Sequence, residues 1–229
     1  RSLRRLSLRI TRIGDGGGQA VARALSALEV LEELDLGHNA GMSATGAAAV
    51  AGALPAALRV LALGGGFGRT DAALALWEAL GQRGAGGLTS LDVSSCGGEA
   101  NAHVVRRALQ PLAPSLRTLL LRDNRYLGRD GCWLGLTALL PGMAALRMLQ
   151  LNGCDLGDVP TAAVVAAAPA GLEHLCLSHN GAGPATAEAL ERASLPSLVA
   201  LDLGSDASAC PALARVEGTL LRRRGPRLP

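Results

Sequence analysis

The chain has 229 residues with 22 basic and 19 acidic side chains. Its formal net charge of +3 is too small to indicate a nucleic-acid-binding protein by itself. Every basic residue is arginine, which we interpret as a compositional bias rather than as selection for phosphate binding. Aromatic residues make up only 2% of the chain, so the core must consist of leucine, alanine and valine. No apolar run approaches the roughly 18 residues that a membrane span needs.

A pattern of spaced leucines recurs eight times along the chain. The clearest copies read Leu-x-x-Leu-x-Leu-x-x-Asn and lie at residues 31–39, 116–124 and 172–180. The first leucines stand at positions 3, 31, 58, 88, 116, 146, 172 and 198. Because this spacing continues from one end of the chain to the other, a stack of repeats is a better interpretation than two separate globular units.

Each repeat predicts a short strand, a turn and a helix. In the strand, a period of two turns the second and third leucines inward and the residues between them outward. The spacing of apolar residues predicts helices, in chain order, over residues 18–28, 45–54, 71–80, 100–109, 130–140, 160–168, 185–192 and 210–222. Trp77 lies on the apolar face of the third of these helices, so we expect it in the core.

This pattern is the signature of leucine-rich repeats. The segment 34–54, from Leu34-Asp-Leu36 through Asn39 to Leu54, resembles the ribonuclease-inhibitor-like subfamily. The resemblance implies an α/β solenoid of about eight repeats, a horseshoe with parallel strands on its concave face and helices on its convex face. It covers residues 1–229, a single domain with a basic tail at 222–229. Ribonuclease inhibitors, Ran GTPase activators and the sensing ends of immune receptors share this type of repeat, so the resemblance does not name a function.

The cysteines favour a reducing compartment. Cys96 and Cys154 occupy the position where other repeats place asparagine, so we expect them to be structural. The five cysteines are odd in number and nothing resembles a disulfide cap, which favours an intracellular location, in the cytoplasm or an organelle. The chain opens with Arg1 inside a repeat, whereas a solenoid needs polar caps, so we also expect it to be part of a longer protein.

Three surfaces carry candidate partner-binding residues. On the concave face, Leu120 and Met148 form a modest apolar patch and His174 lies nearby, among scattered acids. The loop after the fifth strand combines arginines with the chain's tyrosine, residue types that carry binding energy at interfaces. The tail is a basic run that suits an acidic protein or phosphate. The candidates in the loop and the tail are Arg122, Arg125, Tyr126, Arg129, Arg222, Arg223 and Arg224.

Candidate chemistry is weak throughout the sequence. His174, Cys176 and His179 do not make a closed metal site, and no carboxylate in their strand orients an imidazole. The glycine-rich run 64–70 lacks the lysine of a phosphate-binding loop. We therefore predict no catalytic, cofactor or metal residues and a non-enzymatic protein-interaction scaffold, an accessory or structural subunit of a larger assembly. The alternatives are a Ran-type GTPase activator, which the basic tail disfavours, and an RNA-associated subunit that uses the arginine loop and tail.

Overall fold

The structure is a computed structural model that describes residues 2–65, 77–82, 87–96 and 102–222. Eight three-residue strands form one sheet in which each strand pairs in parallel with the next along the chain. They are β1 Arg5–Ser7, β2 Glu33–Asp35, β3 Val60–Ala62, β4 Ser90–Asp92, β5 Thr118–Leu120, β6 Met148–Gln150, β7 His174–Cys176 and β8 Ala200–Asp202. The predicted solenoid of parallel strands alternating with helices is confirmed.

The helices follow the strands as predicted in most repeats. Within the described residues they are α1 Asp15–Leu25, α2 Ala44–Gly52, α3 Ala102–Leu109, α4 Trp133–Thr137, α5 Asp158–Ala167, α6 Pro184–Arg192, α7 Gly204–Ala209 and α8 Pro211–Arg222, and residues 77–82 are also helical. Residues 71–76 of the predicted third helix lie outside the described residues. The prediction was wrong for the fifth repeat, where residues 130–140 hold only the short α4, flanked by 3₁₀ turns at Arg125–Gly128 and Leu140–Gly142. It also missed α7.

The core is built from leucines stacked repeat upon repeat. The middle leucine of each inner strand is no more than 1% exposed, and Trp77 is fully buried as predicted. The two ends of the stack differ. Leu3 and Ile10 in the first repeat are 44% and 69% exposed, whereas Leu213 on α8, at the other end, is fully buried. In the inner repeats, each leucine layer therefore depends on the repeats on both sides for its burial.

Asparagine side chains join each repeat to the one before it. In Asn124, Nδ2 donates to the carbonyls of Val93 and Leu121, both at 2.9 Å, and Oδ1 accepts from the Cys96 backbone N–H at 3.1 Å. Asn39 and Asn180 make the same kind of contacts in their own repeats. Since these atoms are buried, the amide satisfies backbone groups that water cannot reach.

Cysteine replaces this asparagine in two repeats. The Cys96 and Cys154 thiols lie 3.6 Å and 3.1 Å from the carbonyl oxygens of Leu63 and Leu121 in the preceding repeat. Both side chains are fully buried. Burial raises the pKa of Cys154 to about 12, so its thiol stays protonated and can donate a hydrogen bond. Their structural role agrees with their place in the repeat.

The turn after each strand requires a left-handed backbone. The residue two positions beyond the third leucine has a φ between +50° and +71° in seven successive repeats, at Ile10, His38, Gly65, Ser95, Asp123, Gly153 and His179. Glycine at position 65 also leaves room for a neighbour, because a Cβ atom there would lie 2.7 Å from Nδ1 of His38. This column of left-handed residues turns the chain from the sheet toward the helices.

A carboxylate from one repeat caps the helix of the next. Asp158, in the first turn of α5, accepts backbone N–H bonds from Gly183, Ala185 and Thr186 at the start of α6, at 2.8 to 2.9 Å. Burial by itself raises the pKa of Asp158, but these donors outweigh it, so the pKa lies below its usual range. The ionised carboxylate therefore stabilises the fold.

We expect Asn124→Ala to lower the free energy of unfolding by about 3 kcal/mol, because it leaves several buried backbone groups without partners. The measurement is the urea midpoint of equilibrium unfolding. Gln110→Ala, at an exposed position after α3, is the matched control and should change stability by less than about 0.5 kcal/mol. Equal midpoints for the two variants would contradict the role assigned to the amide.

We expect Asp158→Ala to cost about 1 to 2 kcal/mol at neutral pH, through loss of the helix cap. Because the folded-state pKa is depressed, the contribution of Asp158 is complete above the unfolded pKa of about 3.9 and disappears as the pH falls through the folded pKa. Unfolding measured at pH 7 and below pH 3 should therefore show a difference between wild type and variant that shrinks in acid. A control, Glu191→Ala on the exposed surface of α6, should show no such convergence.

Candidate functional site

The register of the sheet arranges the outward-facing strand residues into three rows. The first row is Arg5, Glu33, Val60, Ser90, Thr118, Met148, His174 and Ala200, and the second is Ser7, Asp35, Ala62, Asp92, Leu120, Gln150, Cys176 and Asp202. The third row lies two residues further along each repeat and includes Arg9, Ser94, Arg122, Asn152 and Ser178. Neighbours within a row stand about 4.8 Å apart. This arrangement agrees with the outward alternation that the sequence predicts.

Acidic residues of the second row accept hydrogen bonds from the turns that follow them. Asp35, Asp92 and Asp202 each accept the backbone N–H two residues later, at 2.9 to 3.0 Å. The sequence suggested that these acids are isolated, but two of them have an arginine nearby. Arg9 lies 3.9 Å from Asp35, and Arg122 lies 4.0 Å from Asp92. Among the described residues, Asp202 has no such cation and instead accepts from the Ser178 hydroxyl at 3.2 Å.

The predicted apolar patch is interrupted by polar side chains. Leu120 pairs in register with Gln150, whereas Met148 pairs with Thr118 and His174. The two apolar residues are therefore diagonal neighbours on adjacent strands, and all of these side chains are partly exposed. A partner that contacts Leu120 and Met148 would also meet the carboxamide of Gln150.

The loop after β5 divides its candidate residues between core and surface. Tyr126 is only 6% exposed, and burial raises the pKa of its phenol well above the usual value, with the Cys96 thiol adding to this effect. The hydroxyl lacks a well-formed hydrogen bond, although the nearby Trp77 indole lowers its pKa somewhat. Tyr126 therefore belongs to the core, while Arg125 and Arg129 are exposed. Arg122 lies on the concave face, 41% exposed and 3.5 Å from the Ser94 hydroxyl.

The basic tail that the sequence offers as a candidate contact lies almost entirely outside the described residues. Arg222 is the last residue of α8, and its side chain, together with Arg223 and Arg224, lies outside the described residues.

The concave face over β6 to β8 holds a group of acceptors that sequence reasoning missed. Gln150 Oε1 and Asn152 Oδ1 are both shielded from solvent and have no hydrogen-bond partner. Burial and the nearby Asp202 raise the pKa of the Cys176 thiol, and the same two causes raise the pKa of Glu217 on α8. The sequence places Gln150, Cys176 and Asp202 in one row, but nothing in it shows that α8 brings a second carboxylate close to Asp202.

The described residues do not form a recognisable reaction centre. Among them, no group of three or more His, Cys, Asp or Glu side chains could hold a metal ion. A shallow groove of about 510 Å³ between α5 and α6 is lined mainly by alanines, with the ion pair of Glu188 and Arg192 beside it. None of the helices within the described ranges is both long and apolar enough to cross a bilayer.

Comparison with known proteins agrees with this architecture. The family model described as "Leucine Rich repeat" matches residues 1–22 and 28–51. The fold is that of a leucine-rich-repeat solenoid. No curated protein matches this solenoid in sequence.

The solenoid is similar to the crystal structure of the leucine-rich repeat-containing protein LegL7 from Legionella pneumophila. The TM-score is 0.54 and the sequence identity 22%, over 89% of this chain and 64% of that chain. The solenoid thus spans slightly less than two thirds of LegL7. It also aligns with the Rad7 and Elc1 complex of yeast over 90% of this chain and 69% of that chain, at 16% identity, but the TM-score of 0.33 is too low to support an argument.

We expect Tyr126→Phe to leave stability unchanged or to raise it by up to about 1 kcal/mol, because it removes a buried hydroxyl without a well-formed hydrogen bond. Thermal or urea unfolding measures the change. A loss of more than about 1 kcal/mol would show instead that the hydroxyl is hydrogen-bonded in solution, to the Trp77 indole or to a buried water.

Proposed function

We propose that this leucine-rich-repeat solenoid is a non-enzymatic scaffold that binds other proteins through its concave face, as an accessory or structural subunit of a larger assembly. The observation that carries the proposal is the continuous eight-stranded sheet, whose first two rows present partly or fully exposed side chains on one side. Such a surface can contact an extended partner along its whole length. Residues 1–229 would act as one interaction domain.

The centre of this face supplies the proposed contacts. Leu120, Met148 and His174 are partly exposed there. Arg122 stands two residues beyond Leu120 on the same face, and its guanidinium makes long contacts with Asp92 and Ser94. Exposed Arg125 and Arg129 would contribute at the rim where the strands end. Arginine is among the residue types that contribute strongly to binding at interfaces. Tyr126 would support the loop from below rather than touch the partner.

Two finer assignments accompany this proposal. Repeats of 26 to 30 residues, with helices following the strands, support membership of the ribonuclease-inhibitor-like subtype. The five cysteines are free thiols, which supports a reducing intracellular compartment.

RNA is the competing partner class. It would use the exposed Arg125 and Arg129, and its binding would weaken steeply as salt rises. If the protein does not bind homopolymeric RNA even at 50 mM salt, this alternative is excluded.

We expect Leu120→Arg to reduce recovery of the partner about ten-fold or more in affinity purification from the native source, followed by quantitative mass spectrometry. The matched control is Val159→Arg on α5, at a position 68% exposed, which should recover the partner at the wild-type level. Thermal unfolding of both variants verifies that the fold is intact. Identical recoveries for the two variants would overturn the concave-face proposal, and a wild-type protein that recovers no partner would overturn the scaffold.

A further inference from the structure

The concave face is electrostatically uneven along its length. In the first five repeats the acids of the second row have cationic neighbours, because Arg9 approaches Asp35 and Arg122 approaches Asp92. At the other end, neither Asp202 nor Glu217 has an ion pair among the described residues. Arg122 contributes to the electrostatics at Cys176, but its salt bridge is directed toward β4, away from β8. Among the described side chains, the carboxylates over β7 and β8 are therefore without a paired cation, which favours a negative potential there.

Unpartnered acceptors lie on the same part of the face as these carboxylates. Gln150, Cys176 and Asp202 are neighbours in register on β6, β7 and β8, so about 10 Å separates the first from the last. Gln150 Oε1 and Asn152 Oδ1 accept no hydrogen bond. Both residues keep part of their surface exposed, so rotation of their side chains can present these oxygens to a partner. We call Gln150, Asn152, Cys176, Asp202 and Glu217 the acceptor cluster.

We propose that the acceptor cluster receives a basic side chain, an arginine or a lysine, of the protein partner. This inference rests on the proposed scaffold function. Asp202 is exposed, and one of its oxygens faces the Ser178 hydroxyl, while the other accepts its own turn N–H. An incoming guanidinium or ammonium group offers several N–H donors, enough for Asp202 and for the oxygen of Gln150. It also places a positive charge between two carboxylates that otherwise repel each other.

The Cys176 thiol allows a test that needs no partner. It lies between Gln150 and Asp202 in the row, so its rate of modification reports the local potential. The probes are two thiosulfonates of opposite charge, one bearing trimethylammonium and the other sulfonate. The background variant is Cys210→Ser, because Cys176 and Cys210 are the partly exposed cysteines in the described residues. Mass spectrometry follows the modification of Cys176 at low salt.

We compare the rate at which the cationic reagent modifies Cys176 with the rate at which the anionic reagent does. We expect the ratio of these two rates to be about five-fold higher than the same ratio for N-acetylcysteine amide. Asp202→Asn should bring the ratio close to that reference, because it removes the nearest carboxylate while the amide oxygen can still accept the turn N–H. Asp35→Asn is the matched control, since Asp35 braces its turn in the same way at the other end of the face, and it should leave the ratio unchanged. A wild-type ratio at or below the reference would overturn the proposal.

The partner itself supplies the second measurement. Asp202→Asn should reduce recovery of the partner in the affinity purification described above, whereas Asp35→Asn should not. If wild type and Asp202→Asn recover the partner equally, the basic side chain is excluded and the scaffold function stands. If wild type recovers no partner at all, the scaffold function fails, and this proposal fails with it. The two failures are thus distinguishable.

Discussion

The buried hydrogen bonds in the turn after each strand hold this solenoid together. A three-residue strand makes too few backbone contacts to fix its own position, so the turn must be held by the next repeat. Asn39, Asn124 and Asn180 do this with both ends of the carboxamide, donating to two carbonyls and accepting from a backbone N–H across the repeat boundary. Where Cys96 and Cys154 replace asparagine, the thiol lies against a carbonyl of the preceding repeat.

This constraint also determines what the concave face can present. Because seven successive repeats turn at the same left-handed position, the strands stay in register and their outward side chains line up at the spacing of the sheet. Function can then vary along the rows without disturbing the core. The face begins with arginine–aspartate pairs, continues through Leu120 and Met148, and ends at the acceptor cluster. A partner bound along this face would contact ion pairs, then apolar side chains and then hydrogen-bond acceptors.

The second half of the molecule shows how the end of the stack shapes that surface. After β8 the chain enters α7 at once and then α8, which buries Leu213 and brings Glu217 within electrostatic range of Asp202. An acid that is isolated in the sequence thereby gains a second carboxylate in its surroundings. Tyr126 differs from its expected role in the other direction. Tyrosine is common at interfaces, but here its side chain is buried in the core beneath the loop.

The repeat, the strands, most of the helices and the burial of Trp77 could be predicted from the amino-acid sequence, because leucine spacing reports a local period that neighbouring repeats reinforce. The strand residues that face outward could be predicted too, since alternation along a strand leaves no other choice. The burial of Tyr126, the shortening of the fifth helix, the arginine neighbours of Asp35 and Asp92, and the approach of Glu217 to Asp202 depend on the three-dimensional packing. They involve residues that are distant in the chain, mostly in different repeats. Small differences in turn and helix geometry decide which of these side chains meet, and a periodic pattern carries no information about such differences.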